Sequence, residues 1–232
     1  MNASDRTVVL VHGSWLGAWA WRAVAAELTR QGASVHIVAL SGLGARATES
    51  RPDIGLETHV DDVLAYIDAL DAPSLTIAGH SYGSLVASEA AALRPERTDA
   101  LVVVDGMIAE AGRSLFELVP QVRDALTPLF DSAADFILPP PPEFLGLTPS
   151  DLEGVTSALT PMPLLTHTQA TRFSASALTC GLHYLGFSGF FLGEALAAEA
   201  GRLGWRAKCV PGSHMSIIEQ PQAVAQFILE AT

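Results

Sequence analysis

Residues 74–93 read SLTIAGHSYGSLVASEAAAL, and this stretch decides the fold. An apolar run, Ser74–Gly79, is followed by an Ala-rich run, Ser84–Leu93, and only Gly79-His80-Ser81-Tyr82-Gly83 lies at the junction. A G-x-S-x-G sequence between a strand and a helix forms a turn so tight that its flanking positions must be small. Ser81 is then exposed at a helix N-terminus, where the next backbone N–H, from Tyr82, can meet a developing negative charge. The pattern predicts a serine nucleophile at a strand-to-helix turn.

Five more strand-like runs lie around it: Thr7–His12, Ser34–Leu40, Ala100–Val104, roughly Cys180–Phe187, and Ala207–Val210. Most are continuously apolar, as strands covered on both faces should be. Helical patterns fall between them at Trp19–Thr29, Thr58–Leu70 and Gly193–Leu203, and Pro221–Glu230 closes the chain. Strand alternating with helix predicts an α/β fold, a six-stranded, mainly parallel, doubly wound sheet. Between Gly106 and Arg172 this rhythm fails; the segment is irregular but apolar and carries the run Pro139–Pro142. An insertion of this length is expected to be a lid or binding element, here a helical cap placed after the fourth strand. The expected division is a core of residues 1–106 and 173–232 with a cap of 107–172.

The chain has 232 residues, 49% of them apolar and 16% charged, and a formal charge of −12. This suits one globular domain and leaves no basic stripe for nucleic acid. Charged residues, Gly or Pro interrupt every apolar run before it could cross a bilayer, and Met1–Arg6 lacks the form of a secretory signal. A soluble, cytoplasmic protein is expected, for which a homodimer is one admissible assembly. Cys180 and Cys209 are too few for a disulfide framework and are expected to be buried, reduced small hydrophobes.

Two further loops carry chemistry. Val11-His12-Gly13-Ser14-Trp15 ends the first strand, at the point where strand order should reverse. There the N–H of Ser14 can join that of Tyr82 as an oxyanion donor, while His12 shapes the loop. Pro211-Gly212-Ser213-His214 follows the last strand and offers Ser81 a general base in His214. The remaining histidines, His36, His59, His80, His167 and His183, are read as structural or surface residues.

With these residues in place, the segments VHGSWLGAWAW (11–21), LSGLGARA (40–47), IAGHSYGS (77–84), LVVVDGMIAE (101–110) and GSHMSIIEQP (212–221) resemble the α/β-hydrolase superfamily. The branch they resemble holds salicylate-type methyl esterases, hydroxynitrile lyases and many bacterial esterases. The likeness runs from about Thr7 to Phe227 and is weakest across the insertion. It implies a six-stranded core, a cap at Gly106–Arg172 and a Ser–His catalytic pair.

In one place the chain departs from that branch. The plant enzymes take their triad acid from an Asp just after the penultimate strand, where this chain reads Leu185-Gly186-Phe187-Ser188-Gly189-Phe190. No carboxylate occurs from Gly154 to Gly193. Asp105 ends the apolar run beside the nucleophile strand and is the first candidate for the acid. Glu194 is the second. Cofactor-independent dioxygenases of this superfamily resemble the chain in taking their acid from the Asp105 position.

The expected reaction is serine hydrolysis of a hydrophobic or aromatic carboxylic ester or thioester, with Ser81, His214 and Asp105 as the triad and no cofactor or metal. A cofactor-independent oxygenase, a lyase or cyclase on the same fold, and a small-molecule-binding protein are the alternatives. Hydroxynitrile lyases carry Thr at Gly13 and Lys at Met215, and dehalogenases need an Asp in place of Ser81.

Overall fold

A computed structural model of the chain describes residues 6–146 and 155–232. Most of the polar stretch Met1–Arg6 and part of the insertion, 147–154, lie outside the described residues.

The first half alternates β1 (Thr7–Val11), α1 (Arg22–Arg30), β2 (Ser34–Val38), α2 (Leu56–Asp68), β3 (Leu75–His80), α3 (Gly83–Leu93) and β4 (Thr98–Val104). The insertion follows, with the short helices α4 (Leu115–Leu118) and α5 (Pro120–Leu126), the two-residue strands β5 (Phe130–Asp131), β6 (Phe136–Ile137) and β7 (Met162–Pro163), and helix α6 (Leu165–Thr168). The chain then returns through β8 (Gly181–Phe187), α7 (Gly193–Arg202), β9 (Arg206–Val210), α8 (Ser216–Glu219) and α9 (Pro221–Leu229). The six long strands form one sheet in the order β2-β1-β3-β4-β8-β9, every pair parallel.

Alternate side chains point to opposite faces of a strand, and here both faces are buried. Val9, Val11, Ile77, Leu101 and Val103 enter one core, while Val8, Leu10, Ala78, Val102 and Val104 enter the other. The continuous apolar runs of the central strands follow from this arrangement. Helix α3 is buried from Gly83 to Ala91, which is why it is rich in Ala and shows no polar stripe. The edge strands are more polar, and β9 exposes Arg206, Lys208 and Cys209. Burial of both cysteines is therefore not what the structure gives. Cys180 is half-buried, and Cys209 faces outward from the sheet edge.

Strand order reverses between β1 and β3, with Val11 opposite Gly79 in the ladder. The loops after these two strands therefore diverge from adjacent positions and leave a crevice at the C-terminal edge of the sheet. The cap sits over that edge. It is only partly helical, because β5, β6 and β7 form a small antiparallel sheet. The two-residue strands are too short to show a period in the sequence.

Candidate active site

The turn after β3 approaches the backbone of β1 closely. A Cβ on Gly79 would collide with the Gly83 carbonyl, and one on Gly83 with the carbonyl of His12. Between them Ser81 adopts φ 54°, the left-handed region unfavourable for a residue with a Cβ. Its N–H is tied to the Val104 carbonyl at 3.1 Å. At the end of β4, Asp105 repeats the device with φ 48°, and its N–H bonds the Leu185 carbonyl at 2.7 Å.

These two residues and His214 meet. The imidazole donates from Nδ1 to Asp105 Oδ2 at 2.7 Å, while its Nε2 lies 3.0 Å from Ser81 Oγ. With the proton on Nδ1, Nε2 is left to accept from the serine hydroxyl. Asp105 Oδ1 accepts the Phe187 N–H at 2.9 Å, so both carboxylate oxygens are occupied and the side chain is fully buried. Glu194 stands exposed in the first turn of α7. Phe190, on the loop after β8, stacks on the His214 ring with centroids 4.2 Å apart.

Ser14 and Tyr82 flank the nucleophile on loops from neighbouring strands. Among the described residues, neither backbone N–H meets a protein acceptor. His12 holds the loop as expected: its Nε2 accepts the Leu40 N–H at 3.3 Å and its Nδ1 donates to the Gly13 carbonyl at 3.1 Å. His80 Nε2 donates to the His214 carbonyl at 2.9 Å, bracing the base from behind. His59 accepts from the Tyr82 hydroxyl at 2.9 Å. Burial lowers His12 and His59 to about 4, so both rings are neutral at pH 7.

The cavity over Ser81 measures about 30 Å³. Its floor includes Ser14, Ser81 and His214; its roof is apolar cap, with Leu115, Val122, Leu126, Phe144 and Leu145. His167, read from sequence as structural or surface, also lines it. His167 and Phe190 are the site residues that sequence reading missed. Phe190 had a positional signal, since it follows a strand at the sheet's catalytic edge. His167 had none, because nothing in the insertion's pattern says which of its residues face the crevice. No cluster of His, Cys, Asp and Glu able to hold a metal ion occurs among the described residues.

Residues 8–227 match the model of the alpha/beta hydrolase family. A carbendazim hydrolyzing esterase from Nocardioides sp. (strain SG-4G) is 28% identical over 235 residues, covering 94% of this chain and 96% of that protein. An extracellular alpha/beta-hydrolase from a Paenibacillus species, described as a homologue of tobacco salicylic acid binding protein 2, superposes with a TM-score of 0.84. It is 21% identical, over 97% of this chain and 98% of its own. Polyneuridine aldehyde esterase superposes with a TM-score of 0.79 at 22% identity, over 97% and 98%.

The extracellular relative corrects the expectation of a cytoplasmic protein. A core held by buried apolar surface is compatible with either side of a membrane, so the interrupted apolar runs and the polar Met1–Arg6 did not fix the compartment. Among the described residues, no helix is long and apolar enough to cross a membrane.

Proposed function

Because the chain belongs to the alpha/beta hydrolase family, we propose that it cleaves a hydrophobic carboxylic ester or thioester through an acyl-enzyme on Ser81. It is a serine hydrolase that acts on hydrophobic esters. The observation that carries the assignment of roles is the hydrogen-bonded file Ser81–His214–Asp105.

Ser81 Oγ attacks the carbonyl carbon and its proton passes to His214 Nε2. Asp105 keeps the imidazole in the required tautomer and stabilises the imidazolium that forms. The carbonyl oxygen becomes an oxyanion and takes hydrogen bonds from the N–H groups of Ser14 and Tyr82. Collapse expels the alcohol or thiol, which leaves with the proton from His214. Water then attacks the acyl-enzyme with His214 as base, releasing the carboxylic acid and restoring Ser81.

The catalytic core comprises residues 1–106 and 173–232, and the cap comprises 107–172. The chain re-enters the core at Arg172, whose Nε pairs at 2.7 Å with Glu89, a buried carboxylate on α3. The apolar roof, together with a relative that hydrolyses carbendazim, supports a small substrate with an aromatic or otherwise hydrophobic body.

Purified protein is expected to hydrolyse p-nitrophenyl butyrate under nitrogen as well as in air, and Ser81→Ala to lose this activity while keeping its melting temperature. Ser81→Ala turnover within a few-fold of the parent would place the chemistry elsewhere. Turnover that needs oxygen would move the protein to the oxygenase reading.

A further inference from the structure

The cavity over Ser81 has room for two or three waters, each of which needs roughly 10–15 Å³ of such space. An ester of even a few heavy atoms exceeds it. The floor is fixed by the sheet, so the apolar roof must withdraw before substrate enters and return before water is excluded from the reaction. Any contact that ties the moving part of the roof to the floor then has to yield as substrate enters.

Those ties converge on the two residues that flank Ser81. His167, on the short cap helix α6, is almost fully buried. Its ring stacks on Tyr82, with centroids 5.3 Å apart and an interplanar angle of 8°. Its Nε2 lies 3.0 Å from Ser14 Oγ. The direction of that bond follows from its neighbours. The Thr166 hydroxyl donates to the Pro163 carbonyl at 2.6 Å and so accepts from His167 Nδ1 at 2.8 Å. The proton therefore sits on Nδ1, and Nε2 accepts from the Ser14 hydroxyl. Burial among Trp15, Tyr82 and Phe116 lowers this histidine to about 3, which keeps Nε2 an acceptor throughout the working pH range.

The cap grips the next residue as well. Trp15 Nε1–H donates to the Ile137 carbonyl at 3.1 Å, and the Trp15 carbonyl accepts the Thr160 N–H at 2.9 Å. Trp15 has φ 60°, a conformation that a bulky residue keeps only when its surroundings enforce it. Here much of the enforcement comes from the cap.

We infer that His167 is the positioning residue of the oxyanion site, holding Ser14 by a hydrogen bond and Tyr82 by stacking, so that the site is complete only while the cap is seated. The inference rests on the reading of Ser14 and Tyr82 as the oxyanion donors. With the cap lifted, Ser14 and Trp15 lose four hydrogen bonds, the fourth from Thr160 Oγ1 to the Trp15 carbonyl, and the loop no longer aims its N–H. The enzyme thus couples exclusion of water to assembly of its charge-stabilising groups.

The test compares kcat and KM for p-nitrophenyl butyrate in the parent, Ser14→Ala, His167→Phe and the double variant, with melting temperatures and the rate at which a fluorophosphonate labels Ser81. Ser14→Ala keeps the backbone N–H and changes little volume; His167→Phe keeps a stacking ring and removes the acceptor. Each single variant should lose about tenfold or more in kcat with KM nearly constant, because the donors are misaimed rather than the substrate unbound. The double variant should be no worse than either single, since both remove one interaction. Labelling should slow in parallel, because phosphonylation builds charge on the same oxygen, and His167→Gln, which retains an acceptor, should recover part of the rate. Parental kcat in Ser14→Ala overturns the inference even if His167→Phe fails to fold. So do losses that multiply in the double variant, or a His167→Phe that melts lower at unchanged kcat. A parent protein that does not label at Ser81 sinks the serine mechanism itself, a different failure.

Discussion

Two regions meet over Ser81, and they are held in place by different means. At the sheet edge the reacting groups are fixed by backbone: Ser81 N–H on Val104, Asp105 N–H on Leu185, and Phe187 N–H on the Asp105 carboxylate. The roof opposite is held largely by side chains, and among its described residues the regular structure is limited to three two-residue strands, helices of four to seven residues and a few single 3-10 turns. A ladder hydrogen bond cannot shift by half an ångström without breaking its neighbours, whereas apolar side chains can repack at modest cost. Chemistry that demands geometry sits on the first kind of support, and substrate fit on the second.

The comparison breaks first if the edge groups do not act as a unit. His214→Ala should lose as much activity as Ser81→Ala, on the order of 10⁴-fold or more, and the double variant should be little worse than either. Multiplying losses in p-nitrophenyl butyrate hydrolysis would separate the two residues. Asp105→Asn is expected to lower kcat by about 10³–10⁴-fold, because the amide offers His214 Nδ1 the wrong partner. Glu194→Gln, exposed on α7, should stay within twofold of the parent; the reverse pattern would exchange the two carboxylates.

Acid should strain both regions at once. Folding holds His12 and His59 of the core at about 4 and His167 of the cap at about 3, all below the unfolded value of 6.5. Below pH 6.5 the unfolded chain therefore binds protons that the folded chain refuses, and stability falls with pH down to about 4. Each of the three contributes a slope of about 1.4 kcal/mol per pH unit in that window. Thermal melts of the parent and of His167→Phe across it should show a shallower slope in the variant; parallel curves would mean His167 is not held neutral. The smallest effect belongs to the roof. Phe144→Ala should raise the ratio of p-nitrophenyl octanoate to acetate turnover by about tenfold, in keeping with the weak discrimination of apolar pockets. An unchanged ratio would remove Phe144 from the substrate's path.

The same contrast sets what could be read from sequence. The six long strands lie within two residues of the runs Thr7–His12 to Ala207–Val210, and for the central strands β1, β3 and β4 burial on both faces leaves a continuous apolar signature. The turn at Ser81 was legible because Gly79 and Gly83 have no alternative there. Asp105 could be proposed from its place at the end of β4, but its carboxylate's second anchor, the Phe187 N–H, depends on β8 lying next to β4 across the whole insertion. The cap was legible only as an interruption. Its strands are too short for a period of two, and its histidine is placed by packing against Trp15, Tyr82 and Phe116, contacts that no local pattern encodes.

The cap leaves the core after Val104 and the chain rejoins the sheet at Gly181, so β4 and β8, direct neighbours, are joined by an excursion of more than seventy residues. Loop-closure entropy grows only with the logarithm of length, about 0.6 kcal/mol for each doubling. Lengthening, trimming or exchanging that excursion therefore costs the sheet little, provided its ends stay where Asp105 and Gly181 pin them. Length is thus a small cost, and what a new cap would have to replace is the apolar cover that Leu115, Phe116, Val122 and Leu126 give the core.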